Sequence, residues 1–125
     1  MRYYDELATY ERDGFTVIVD KSHEDLDPRD MFDDSVSDVE EIINDINRGH
    51  LEWFMLRVRV MVDSLEMGSH YLGGCLYEDP KEILTDGTAE DCIGEALAEA
   101  KKEVYKYKQK FAELSDMVDR EGINV

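Results

Sequence analysis

The sequence predicts an α+β fold in which a small antiparallel sheet of about three strands packs with two helices, the C-terminal one long. Three observations carry this expectation. Leu51 to Asp63 alternates apolar and polar residues with period two. Asp63-Ser64 then offers a tight turn into a second strand-like run, Leu65 to Tyr77. Finally, Ile93, Leu97, Ala100, Val104, Tyr107, Phe111, Leu114 and Val118 recur at alternating spacings of four and three, the pattern of a helical seam.

In chain order, Met1 to Arg12 reads as a short helix or an extended arm. Phe15-Thr16-Val17-Ile18-Val19 follows Asp13-Gly14 and has the β-branched character of a strand. From Asp20 to Asp34 the chain is polar and interrupted by Pro28, so a surface loop is expected. Ser35-Val36-Ser37-Asp38 resembles a capping box, and Val36, Val39, Ile42, Ile43 and Ile46 mark one face of a helix that Gly49 ends.

In the strongest strand, Phe54, Leu56, Val58, Val60 and Val62 point one way and Trp53, Met55, Arg57, Arg59 and Met61 the other. The second set is core if helices cover both sheet faces. If they do not, it is an apolar binding patch flanked by Arg57 and Arg59. Gly68, Gly73 and Gly74 mark a bulge or a close backbone approach in the returning strand. Thr88-Ala89-Glu90-Asp91 is a second capping-box-like start, and a helix from there to Val118 would be roughly 46 Å long. A compact chain of this size has a radius of gyration of only ~14 Å. The chain therefore reads as one domain, residues 1–125, from which 101–125 project as an oligomerisation helix; the alternative is a long helix packed along its own sheet and fraying near Ser115.

Composition bounds the function. The 125 residues are 42% hydrophobic and 10% aromatic, enough to offset the entropy of ordering, so the chain folds rather than serving as a disordered acidic tail. Thirty-one acids against fourteen Lys and Arg give a formal charge of -17. Direct nucleic-acid binding is disfavoured by repulsion from phosphates, and a basic partner is favoured. No apolar run approaches a membrane span and the N-terminus has no signal-peptide pattern, so a cytoplasmic protein is expected. Cys75 and Cys92 are too few and too far apart for a disulfide framework or a CxxC site, and read as reduced small hydrophobes.

The charge is uneven. Residues 20–45 hold eleven acids against Lys21 and Arg29, a local charge of -9. Residues 101–125 sum to +1, which leaves -18 on residues 1–100. The candidate partner-binding face comprises Asp25, Asp27, Asp30, Asp33, Asp34, Asp38, Glu40, Glu41 and Asp45; the candidate dimerisation residues are Val104, Tyr107, Phe111 and Leu114.

No cofactor, metal site or catalytic constellation is expected. Asp25-x-Asp27-x-x-Asp30 invites comparison with a calcium loop, but the sixth position is Asp30 rather than Gly and the twelfth is Val36 rather than Glu. Only a weak, adventitious divalent-cation site is left open. His23, His50 and His70 lack zinc spacing, and Gly73-Gly74 lacks the Lys and Ser or Thr of a phosphate-binding loop. Two carboxylates of so many will be near each other by chance, so proximity implies no acid–base pair.

Seventeen net charges match those on roughly 30 Å of duplex DNA. An acidic face on a rigid body can thus occupy the cationic groove of a nucleic-acid-binding protein; the competing reading is that acidity confers only solubility. The runs Glu52-Trp53-Phe54-Met55-Leu56-Arg57-Val58 and Leu65-Glu66-Met67-Gly68-Ser69-His70-Tyr71-Leu72-Gly73-Gly74, with the closing Ala-Glu-rich helix, resemble small acidic accessory proteins of tailed bacteriophages over roughly Phe15 to Lys101. That resemblance implies a phage origin and action in the host cytoplasm. It also implies kinship of role with inhibitors of host defence, of the anti-CRISPR or anti-restriction type, that imitate DNA. It assigns no activity to individual residues. The alternative function is a non-catalytic structural or assembly protein that dimerises through its C-terminal helix.

Overall fold

The computed structural model describes residues 2–32 and 38–121. Four strands, β1 (Asp5–Arg12), β2 (Phe15–His23), β3 (Glu52–Val62) and β4 (Leu65–Tyr77), form one antiparallel sheet in the order β1-β2-β3-β4. Three helices accompany it: α1 (Pro28–Met31), α2 (Val39–Asn47) and α3 (Thr88–Glu121), with a 3-10 turn at Pro80–Leu84. The α+β class and the long C-terminal helix are as the sequence implies; the strands number four rather than three.

The additional strand is β1, in the segment that reads as helix or arm. Its alternation is weak because Asp5, Glu6 and Glu11 stay exposed on an edge strand. What makes it a strand is the two-residue turn after it: Asp13 and Gly14 both take positive φ, 54° and 86°, the geometry that reverses a hairpin without splaying it. Arg12 then pairs with Phe15 and Tyr10 with Val17. The expected loop at 20–34 is likewise shorter than read. β2 runs on to His23, and Asp27 opens α1 by accepting the Arg29 backbone N–H at 2.9 Å, with Pro28 in the first helical turn.

The capping box read at Ser35–Asp38 lies mostly outside the described residues; Asp38 itself is the N-cap of α2, in left-handed conformation (φ 66°) with no side-chain cap bond. At α3 the cap is also displaced from Thr88. The Asp86 carboxylate accepts the Thr88 backbone N–H at 2.9 Å and the Tyr77 hydroxyl at 2.5 Å, and these bonds hold its pKa below the usual carboxylate value.

One sheet face carries the core. Phe15, Val17 and Val19 of β2 and Phe54, Leu56, Val58 and Val60 of β3 are buried with Met67 and Cys75 of β4 against Ala89, Cys92, Ile93, Ala96, Leu97 and Ala100 of α3. Gly68 makes this contact possible. A Cβ there would lie 2.4 Å from the Ala96 carbonyl oxygen, so the helix sits directly on the backbone of β4. Gly74, at φ 66°, falls at the register shift between Phe54 and Leu56, the bulge the paired glycines imply. Two ion pairs clamp the β1-β2 hairpin to α3: Arg12 with Glu90 and Lys101 with Asp13.

The second sheet face is closed differently from either expectation. Trp53 is buried under the segment that follows β2, its indole N–H donating to the Leu26 carbonyl at 2.8 Å and its ring 5.9 Å from Phe32. Further along, the arm Arg2–Tyr4 crosses the face: Ser22 donates to the Tyr3 carbonyl, and the Tyr4 ring stacks on the Arg57 guanidinium at 3.4 Å. Arg57 in turn donates to both oxygens of buried Asp20, at 2.8 and 2.6 Å. Met55 and Met61 remain half-buried, and α2 makes its main contacts with α1 rather than with the sheet.

Candidate interaction surfaces

The acidic face read from the sequence is partly consumed by the fold. Asp25 receives Arg2 at 2.5 Å and lies 3.9 Å from His23. Arg29 sits between Asp27 and Glu40: it meets Glu40 with two bonds, 2.8 and 3.0 Å, and holds that carboxyl below its usual pKa. Asp45 lies 3.7 Å from His50. Asp30, Asp38 and Glu41 are exposed and form no ion pair among the described residues, while Asp33 and Asp34 lie outside them. The segment is therefore not one continuous field of unpaired charge. Arg29 spends its cation tying α1 to α2.

A second acidic surface, outside the sequence-predicted face, lies on α3. Asp91, Glu95, Glu99 and Glu103 recur every four residues along α3, starting opposite the face that packs on the sheet and winding round to the edge of the seam, where Glu103 is half-buried, and none is ion-paired among the described residues. Four residues of helix advance about 6 Å, so the carboxylates form a ladder with one rung per turn. Like charges at this spacing repel and cost the helix a few tenths of a kcal/mol per pair. The sequence signal is the complement of the Ile93, Leu97, Ala100 seam, which takes in Asp91, Glu95 and Glu99, while Glu103 flanks the seam.

The third surface is apolar. From Lys101 onward no residue of α3 is buried, and the seam simply continues into solvent. Val104 is 40% exposed, Tyr107 42%, Phe111 63%, Leu114 42% and Val118 37%. The structure thus brings the four candidate dimerisation residues onto one exposed stripe, with Tyr107 and Phe111 stacked at 6.1 Å between centroids.

Other groups offer little chemistry. A groove of about 570 Å³ opens beside Arg2, Lys21, His23 and Trp53, but Lys21 is paired with Glu52 and Arg2 with Asp25. Cys75 and Cys92 are free and buried, and burial pushes the Cys75 thiol up to about 11 and raises that of Cys92, away from nucleophilic reactivity. Among the described residues no three of His, Cys, Asp and Glu converge where a metal ion could be held, and no helix is long and apolar enough to cross a membrane.

What fold and surface together define is a four-stranded antiparallel meander under one long helix that bears a carboxylate ladder near its start and an apolar stripe near its end. No protein-family profile matches the chain, and no curated protein or solved structure shows a significant match to it.

Proposed function

We propose that the chain is a non-catalytic inhibitor that occupies the cationic nucleic-acid-binding surface of another protein, and that its partner is a host defence complex of the restriction or CRISPR type. The observation that carries the reading is the ladder Asp91, Glu95, Glu99 and Glu103: four carboxylates with no ion-pair partner among the described residues, one per turn of a helix anchored by Gly68 and the Arg12–Glu90 pair. Such a row supplies what a phosphate backbone supplies, fixed negative charge at intervals of a few ångströms, and draws the same counterion-release and steering advantages. Asp30, Asp38 and Glu41 add to it from α1 and α2. The resemblance to acidic phage proteins points to the defence complex as partner class.

Competition with duplex DNA for a purified restriction enzyme or CRISPR effector tests this. The full chain should displace DNA, with affinity falling about 100-fold between 50 and 200 mM salt if four charge contacts form. Reversal of Asp91, Glu95 and Glu99 to lysine should abolish displacement, and reversal of Asp30, Asp38 and Glu41 should weaken it. Displacement that survives both reversals sinks the electrostatic reading.

A second reading, an assembly protein that self-associates through α3, is favoured by the exposed stripe Val104 to Val118. Sedimentation of Phe111→Asp and Leu114→Asp variants separates the two: a halved mass with DNA displacement intact assigns association to the stripe and binding to the ladder.

A further inference from the structure

We propose that the exposed stripe of α3 docks on the same stripe of a second copy in antiparallel orientation, with Phe111 against Leu114 and Tyr107 against Val118 of the second copy. This rests on the self-association reading and adds its geometry.

The orientation follows from charge. The nine residues 104–112 carry Lys106, Lys108 and Lys110 and no acid, a charge of +3. The next nine, 113–121, carry Glu113, Asp116, Asp119 and Glu121 against Arg120, a charge of -3. Paired antiparallel about the junction of the two segments, each basic half lies along the acidic half of the other copy. Paired parallel, +3 lies beside +3 and -3 beside -3. At a helix separation of 8–10 Å these fields are within about one Debye length and are felt. Parallel packing would recover one attraction per helix, Glu103 to Lys108 across the seam, which is the smaller effect. It would also bring two bodies of charge -18 side by side, whereas the antiparallel pair holds them at opposite ends.

The charge junction between residues 112 and 113 centres the register, and the sheet bounds it on the side of the body. Ala100 packs on Gly68 and Lys101 reaches Asp13, so the space under the seam is occupied by the chain's own sheet up to that point. A second helix fits only if it stops short of Ala100. Placing Phe111 against Leu114 and Tyr107 against Val118 sets Glu121 of the second copy opposite Val104, just clear of the sheet. A register shifted by one heptad toward the body would set Glu121 of the second copy opposite Leu97, which is already packed on the sheet.

Disulfide trapping in a glutathione buffer tests both. Tyr107→Cys and Val118→Cys full-length variants are prepared separately and then mixed; the buried, high-pKa native thiols remain silent. The expected result is a cross-linked heterodimer in the mixture and little linkage in either variant alone, an enrichment of at least tenfold. Efficient linkage within each variant alone would overturn the orientation. No linkage in any sample, with the wild-type chain sedimenting as a dimer, would overturn the register. A wild-type chain that sediments as a monomer at 100 μM would overturn the self-association reading and this proposal with it.

Discussion

Replacing Gly68 by alanine should lift α3 from the sheet, and the cost can be worked from the contact. The added Cβ would stand 2.4 Å from the Ala96 carbonyl oxygen, 2.8 Å from the Ala100 nitrogen and 3.2 Å from the Ala100 Cβ. Two of these obstacles are helix backbone and cannot rotate away, so relief requires moving the helix by about 1 Å, toward the 3.5–4.0 Å of ordinary contact. A radial gap of that size forfeits a quarter to a half of each contact's dispersion energy along Cys92, Ile93, Ala96 and Leu97. Overpacking of this kind costs about 1–3 kcal/mol, and the backbone obstacles place it near the upper end. For a chain of this length about 3 kcal/mol corresponds to a fall in Tm of roughly 10 °C. Gly94, in the same helix, is the control. Nothing lies within 4 Å of a Cβ there, so Gly94→Ala should stabilise by about 0.5–1 kcal/mol through helix propensity alone. Urea and thermal unfolding followed by far-UV circular dichroism at fixed salt give both values. A Gly68→Ala protein within about 0.5 kcal/mol of wild type would refute the close approach of α3 to β4.

Glu90→Gln removes the carboxylate that Arg12 holds below its ordinary pKa of 4.5. Because the folded pKa is the lower one, the pair's contribution is complete above pH 4.5 and lost as pH falls through the folded value. The stability gap between wild type and variant, no more than about 1 kcal/mol for so exposed a pair, should be constant from pH 8 to 5 and close below 4.5. Neither cysteine should react with a thiol reagent at pH 7.5 in the native state, and both should react in denaturant; one fast-reacting native thiol would contradict the burial of Cys75 and Cys92. Asp20→Asn should destabilise by about 3 kcal/mol in urea unfolding, because it strands the Arg57 guanidinium under Tyr4 and weakens the 3.5 Å contact of Arg59 with the same carboxylate, while Asp20→Leu with Arg57→Met should recover only part of the loss, since Arg59 stays unpaired. Equal losses in the single and double variants would show that the ion pair is not what holds the second face closed. Trp53→Phe should cost about 1 kcal/mol by deleting the bond to Leu26, and should raise amide exchange in residues 26–32 before that in β3.

What the sequence alone determined was everything with a local period. The alternation of β3, the turn at Asp63-Ser64, the return of β4 with its glycines and the four-three seam of α3 are each written within a few residues, so their elements were legible, β4 to its end points. The apolar stripe of Val104, Tyr107, Phe111 and Leu114 was legible for the same reason, but that it leaves the sheet after Ala100 instead of packing along it was decided by the tertiary structure. Tertiary structure decided what depends on partners distant in the chain. β1 is a strand because Asp13-Gly14 folds it onto β2, against a composition that names no element. Trp53 is covered by Leu26 and Phe32, and the second sheet face by Tyr4, Arg57 and Asp20, none of which are neighbours in sequence. The acidic segment shows the difference most plainly. Its -9 can be counted from the sequence, but whether a carboxylate faces solvent or an arginine depends on where Arg2 and Arg29 land, and the fold sets them on Asp25, Asp27 and Glu40 while Asp91, Glu95, Glu99 and Glu103 have no ion-pair partner among the described residues. Charge is additive along a chain, whereas its neutralisation falls off within a few ångströms in space.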